Sequence, residues 1–203
     1  TTPDWRREVD PQNAMEREDN DAFLARILER YYSVAVDAVR RHDPRHLIFG
    51  DTLNGNTDMP DFAVQVAAQH ADLTLYQWYG LYAEQAPRLD RWSALTGQPL
   101  FNGESCYAVP TAEMPNPLGQ HFASQEERAA AFLDFAEHAF ARPDFVGWSW
   151  CGWMDRWATV AEQMARQHSG VQDAFGQAYE PLREAMAGFA ARMYEVAERR
   201  GRG

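Results

Sequence analysis

Apolar positions along the chain follow two alternating patterns. Four short runs rich in β-branched and aromatic residues stand out: LIFGD (Leu47 to Asp51), LTLYQWYG (Leu73 to Gly80), PLFNGES (Pro99 to Ser105) and FVGWSWCGW (Phe145 to Trp153). Each is preceded by a longer stretch whose apolar residues recur at helical spacing. The first such stretch places Phe23, Ile27, Leu28, Tyr31, Val34 and Ala38 on one face and stops before Pro44. Another opens on a capping pair, Ser124 and Glu127, carries Phe132, Phe135, Ala136, Ala139 and Phe140, and ends at Pro143. The last aligns Leu182, Met186, Phe189, Met193 and Val196 as a single stripe. Helices alternating with buried strands predict an α/β fold on a parallel sheet.

The connections are unequal. Those leading from helix into strand are tight, at residues 42–46, 70–72, 96–99 and 143–144. Two that leave strands are long, Tyr107 to Ala123 and Met154 to about Tyr179. Ligands of α/β proteins bind beyond the carboxyl ends of the strands, so that edge is the expected working face. Four strands are too few for a closed (β/α)8 barrel, which takes about 250 residues, and suit half of one. Thr1 to Asn20 is polar, charged and without periodicity, and reads as a loop continuing from a missing upstream half; residues 21–203 then form one half-barrel domain.

Composition narrows the function more than the fold. A chain of 203 residues, 45% hydrophobic and 24% charged, is ordinary globular protein. Thirty acidic against nineteen basic residues give a formal charge of −11, which repels a phosphate backbone and argues against nucleic acid as a partner. Every basic residue is Arg, so Schiff-base chemistry and a P-loop lysine are excluded. No window approaches eighteen uninterrupted apolar residues and the start has neither a basic nor an apolar region, so no membrane-spanning helix or targeting signal is expected. Cys106 and Cys151 lack zinc spacing and read as free thiols near the ends of adjacent strands. The scattered His predict no metal site, and no cofactor motif is present.

The chemistry gathers around Glu104, at the carboxyl end of its strand after Phe101, Asn102 and Gly103. A strand-end Glu by itself is as often a salt-bridge partner. Here the preceding strand ends Gln77-Trp78-Tyr79, offering a phenol to orient the carboxylate, and the following one supplies Trp148 and Trp150 with Trp153 beyond. Indoles beside carboxylates hold sugar rings, because the C–H face of a sugar stacks on the indole while polar groups take the hydroxyls. Alternation puts Trp148 and Trp150 on one face; Trp150, nearer the strand end, is read as the sugar platform and Trp148 as core. Asp51, Asn54, Gln77, Trp78, His121, Trp153 and His168 are further candidates for binding hydroxyls, with Asp155 and Arg156 beside the long loop; simple solvation is the commoner role of such loop residues.

The order YYSVAVDAVRRHDPRHLIFGD, ADLTLYQWYG, TGQPLFNGES and VGWSWCGWMD resembles the carboxyl-terminal half of a clan A glycoside hydrolase, a (β/α)8 barrel, and most of all its bacterial β-agarase-like and β-galactosidase-like members. The resemblance covers about residues 20 to 200 and implies that the four strands are the fifth to eighth of the barrel. It implies Glu104 as nucleophile, Tyr79 as its hydrogen-bonding partner and Trp150 as the platform. The implied activity is retaining hydrolysis of a β-linked polysaccharide, an agarose-like galactan foremost. The clan's acid/base Glu follows an Asn on the fourth strand, and no Asn-Glu pair occurs in this chain. Many relatives also carry His where this chain has Ser149. The expected partners are therefore a carbohydrate and either the missing amino-terminal half or a second copy of the chain. A non-catalytic carbohydrate-binding half-barrel is the chief alternative. A phosphate-binding barrel enzyme is disfavoured by the absence of Lys and of a Gly-rich phosphate loop.

Overall fold

The computed structural model describes residues 13–112, 114, 119–156 and 168–198. Its centre is a four-stranded sheet of β1 (Leu53–Asn54), β2 (Thr74–Gln77), β3 (Leu100–Ser105) and β6 (Phe145–Trp150), in sequence order and parallel at every pairing. Helices α1 (Ala14–His42), α2 (Asp61–His70), α3 (Tyr82–Thr96) and α4 (Gln125–Phe140) alternate with these strands, and α5 (Glu180–Ala190) and α6 (Met193–Glu198) pack on α4. The long connection after β3 carries a small parallel pair, β4 (Tyr107–Ala108) and β5 (Gln120–His121). The α/β class and the parallel sheet are as the sequence predicts.

Local chemistry sets the helix ends. Asn13 caps α1 by accepting from the Glu16 N–H, and Ser124 caps α4 by accepting from the Glu127 N–H at 3.2 Å. Gly97 closes α3 at φ 63°, a left-handed conformation that an L side chain resists, which permits the two-residue step into β3.

Three local expectations are corrected. Residues 14–20 belong to α1 rather than to a leading loop, because the Asn13 cap starts the helix ahead of its apolar periodicity. Leu47 to Asp51 forms no strand; the Asp72 carboxylate takes the Ile48 N–H at 2.6 Å where a sheet carbonyl would, and pairing begins only at Leu53. The carboxyl-terminal stripe is split into two helices at Ala191 and Arg192, although Leu182, Phe189 and Val196 are all buried.

The two faces of the sheet differ. Thr74, Tyr76, Leu100, Asn102 and Phe145 are buried, and Tyr76, Leu100 and Phe145 join Leu89, Trp92 and Phe135 of the helices in the core. Leu75, Phe101 and Gln77 point to the opposite face and are only half-buried. That second face is apolar in its lower part, where Phe101 meets Phe49 at 5.6 Å between ring centroids. Likewise Phe23, Ile27, Tyr31 and Val34 share one face of α1 as expected, yet that face is exposed and lines an open groove. Among the described residues β1 and β6 each have a single strand partner. The described residues thus present two unpaired sheet edges and two uncovered apolar surfaces, which isolated domains seldom leave open.

Candidate active site

The polar groups at the carboxyl ends of β1, β2, β3 and β6 converge because β3 is irregular. Strict alternation would send Glu104 to the helix-packed side with Asn102. Instead the register slips, so that Tyr76 pairs with Asn102 while the next residue, Gln77, pairs with Glu104. On the other side Asn102 and Ser105 pair with Trp148 and Trp150. The extra residue is a β-bulge at Gly103 and Glu104, and it turns the Glu104 carboxylate to the uncovered face beside Gln77. Gly103 suits the site because a Cβ there would lie 2.6 Å from the Leu75 side chain.

Tyr79 donates its hydroxyl to Glu104 Oε1 in a short hydrogen bond, and the Cys151 thiol donates to the same oxygen at 3.4 Å. Backbone bonds hold these partners: the Trp78 N–H donates to the Glu104 carbonyl at 3.0 Å, and the Cys151 N–H to the Ser105 carbonyl at 2.7 Å. Behind Tyr79 lies an amide relay. Gln77 Nε2 donates to Asn54 Oδ1 at 3.3 Å, Asn56 donates to that same oxygen through its backbone and side chain, and Asn56 Oδ1 accepts from the Tyr79 N–H at 2.9 Å. Gly55 lets the turn approach β2; its N–H donates to the Gln77 carbonyl at 2.9 Å, and a Cβ would sit 2.5 Å from that oxygen.

Burial, then the bonds to Glu104 and Cys151, raise the Tyr79 hydroxyl far above the ordinary phenol range, so it stays a donor. The Cys151 thiol is raised by burial and by Glu104 against an opposing bond from Tyr79. Neighbouring Cys106 is pushed up to about 12, mainly by burial. Cys106 and Cys151 are not bonded to each other as a disulfide. One carboxylate with a phenol, a thiol and three amides can bind neutral hydroxylated molecules and present a nucleophilic oxygen. Among the described residues no group of three His, Cys, Asp or Glu could hold a metal.

The expected site residues divide. Glu104, Tyr79, Gln77 and Asn54 come together. Asp51 does not join them; it accepts from Tyr31 of α1 at 3.2 Å. Trp78 turns toward α3, where its indole N–H donates to the Leu81 carbonyl and Arg88 lies 5.7 Å from its ring. His121 is exposed on β5, at the rim, next to Gln120 whose N–H donates to the Tyr79 carbonyl. Trp153 is 73% exposed just past β6.

Two assignments are corrected outright. His168 is fully buried against Asp155, with 2.7 Å between Nδ1 and Oδ2, so it cannot meet a substrate. Trp150 shares a face with Trp148, but that face looks toward α4. Its ring lies 5.9 Å from Phe132 and 5.7 Å from Tyr107, and its N–H donates to the Ser169 carbonyl. Cys151, the next residue, reaches Glu104, so alternation directs Trp150 away from it. Trp148 stacks on Phe132 at 5.0 Å and Phe135 at 4.4 Å, as a core residue does. Both Trp148→Ala and Trp150→Ala are expected to destabilise the protein, Trp148→Ala by about 3–5 kcal/mol. Thermal melts of the two variants check this, and an unshifted melt for Trp150→Ala would return that ring to the open face.

Sequence reasoning missed Asn56, Cys151 as a site residue, and Arg128. Asn56 had a signal in the Asn-Gly-Asn turn after the first strand. Arg128 had none, because an Arg on a capped helix reads as surface; it is fully buried, donating to the Tyr107 and Gly170 carbonyls at 2.7 and 2.9 Å.

Solved structures share the fold. The chain superposes on PfGH50B with a TM-score of 0.79 at 23% identity, 93% of this chain covering 27% of that one. It matches an exo-β-agarase with a TM-score of 0.79 at 26% identity, over 92% of this chain and 25% of that one. An agarase, AgWH50C, gives 0.78 at 22% identity, over 92% and 26%. The chain shares its fold with β-agarase-like glycoside hydrolases. It spans about a quarter of their length. No family model matches the chain, and no curated protein does.

Proposed function

We propose that this chain is the carboxyl-terminal half of the catalytic barrel of a retaining glycoside hydrolase acting on a β-linked galactan of the agarose type, with Glu104 as nucleophile. The observation that carries the reading is the bulge that turns Glu104 out to the uncovered face, with Tyr79 and Cys151 bonded to one carboxylate oxygen. A nucleophile needs a fixed carboxylate with a free oxygen facing the sugar. The agarase likeness supports the substrate class, and the half-buried amides of Asn54 and Gln77 with the exposed amide of Asn56 suit its hydroxyls.

Retention requires a second carboxyl group about 5–5.5 Å away to protonate the leaving oxygen. Asp155 cannot serve, since it is 4% exposed and its oxygens accept from His168, Gly170 and Tyr179; Glu113 lies outside the described residues. We assign the acid to an upstream half-barrel, which would also cover the open sheet face, the free edge of β1 and the apolar face of α1. A purely carbohydrate-binding half-barrel is the second reading, favoured because Glu104 is the one carboxylate in the site among the described residues.

Reducing-sugar release from a panel of β-linked polysaccharides, with product configuration read by NMR, tests the proposal in the complete protein. Release from agarose with retained configuration is expected. Binding without cleavage favours the second reading, and inversion removes the nucleophile role. The 203 residues alone are expected to self-associate in light scattering without hydrolysing the polymer, and a monomer that cleaves it unaided would defeat the half-barrel assignment.

A further inference from the structure

We infer that Cys151 is a positioning residue for Glu104, sharing Oε1 with Tyr79 so that Oε2 remains free to attack the sugar; the inference rests on the nucleophile role proposed above. The two donors come from strands on either side of β3, Tyr79 from beyond β2 and Cys151 from beyond β6. Both end on Glu104 Oε1, and among the described residues Oε2 accepts from nothing. A carboxylate held by one donor can still swing about that contact, whereas two donors from opposite sides fix its plane. A thiol is a weak donor, so it restrains rotation while withdrawing little charge from the attacking group.

The thiol is anchored for this. The Cys151 N–H is bonded to the Ser105 carbonyl, on the residue following Glu104, so donor and acceptor move as one unit. Burial together with Glu104 keeps the thiol protonated, and therefore a donor, at neutral pH, although the Tyr79 hydroxyl and Arg156 pull the other way. Cys106 is fully buried and serves as an internal comparison within the same protein.

The test has two arms in the complete protein. In the first, Cys151→Ala is expected to lower kcat about tenfold to a hundredfold with KM nearly unchanged, while Cys151→Ser, which keeps a donor, recovers most of the rate. A wild-type kcat in Cys151→Ala, or a Ser variant as slow as the Ala variant, overturns the inference. The second arm is independent of sugar chemistry: alkylation of Cys151 by iodoacetamide, followed by peptide mass spectrometry. In that reaction the sulfur–carbon bond forms, iodide leaves and the thiol proton passes to solvent. Glu104→Gln should speed it several-fold, because the neighbouring carboxylate opposes thiolate formation. Equal rates would mean that the contact is absent and would overturn the inference. A wild-type protein that cleaves no β-galactan, but whose Cys151 still responds to Glu104→Gln, would mark the failure of the proposed function with the contact intact. A Cys151 that responds while kcat ignores its removal would sink the positioning role alone.

Discussion

Glu104→Gln is expected to reduce turnover of a β-galactan by several orders of magnitude while substrate binding survives. The amide fills the same space and can still bond Tyr79, so what it removes is the charge that attacks the anomeric carbon and the covalent intermediate that follows. Glu104→Ala goes further and opens room for a small anion. Azide, supplied externally, should then restore cleavage of a substrate with a good leaving group and give a glycosyl azide of inverted configuration. Single-turnover kinetics and NMR of the product read both results. Near wild-type turnover in Glu104→Gln would remove the assignment, and azide rescue with retention would place the nucleophile elsewhere. Because Glu104 reaches the open face only through the bulge, any change that restores regular pairing at Gly103 should mimic the loss of charge in Glu104→Gln.

That bulge marks where reading the sequence reached its limit. The strands from Leu73, Pro99 and Phe145 were legible because β-branched and aromatic runs bounded by Pro and Gly have one economical packing, as parallel strands against helices. The meeting of Glu104 with Tyr79 was legible too, because strand ends in register bring their last residues together. The direction of a side chain at an irregularity was not, since one inserted residue reverses the alternation from which facing is inferred. Trp150 shows the same limit: nearness to the strand end gave its height in the sheet, whereas its face depended on the β3 register. His168 and Asp155 looked like loop residues because their partners, Gln125 of α4 for His168 and Tyr179 for Asp155, are distant in the chain.

Asp155→Ala is expected to cost about 3–5 kcal/mol of stability, the usual loss when one member of a buried charged network is removed. The network can be read proton by proton. Arg128 donates to Gln125 Oε1 at 3.1 Å, which leaves the Gln125 amide nitrogen to face His168 Nε2 at 3.0 Å. Nε2 must then accept, so the His168 proton sits on Nδ1 and is donated to Asp155. Asp155 also accepts from the Gly170 N–H at 2.8 Å and the Tyr179 hydroxyl at 2.5 Å. Removing the carboxylate strands two buried donors, on His168 and Gly170, and the half-buried Tyr179 hydroxyl, and takes the opposing charge away from Arg128, which burial already lowers to about 10 against the pull of Asp155. Asp155→Asn keeps one acceptor oxygen and should lose less. Burial raises the Asp155 carboxyl, but the bonds from His168, Tyr179 and Gly170 outweigh it and leave the group below its ordinary value. A depressed carboxyl stabilises the fold fully above about pH 4, the unfolded value, and loses that contribution as pH falls through the folded one. Denaturant midpoints measured from neutral pH down into this range should therefore fall more steeply for the wild type than for Asp155→Asn. Parallel curves would mean that the carboxylate gains nothing from its partners. The consequence reaches the site, since Ser169, beside His168, accepts from the Trp150 indole, and Trp150 precedes Cys151 in the strand end that restrains Glu104.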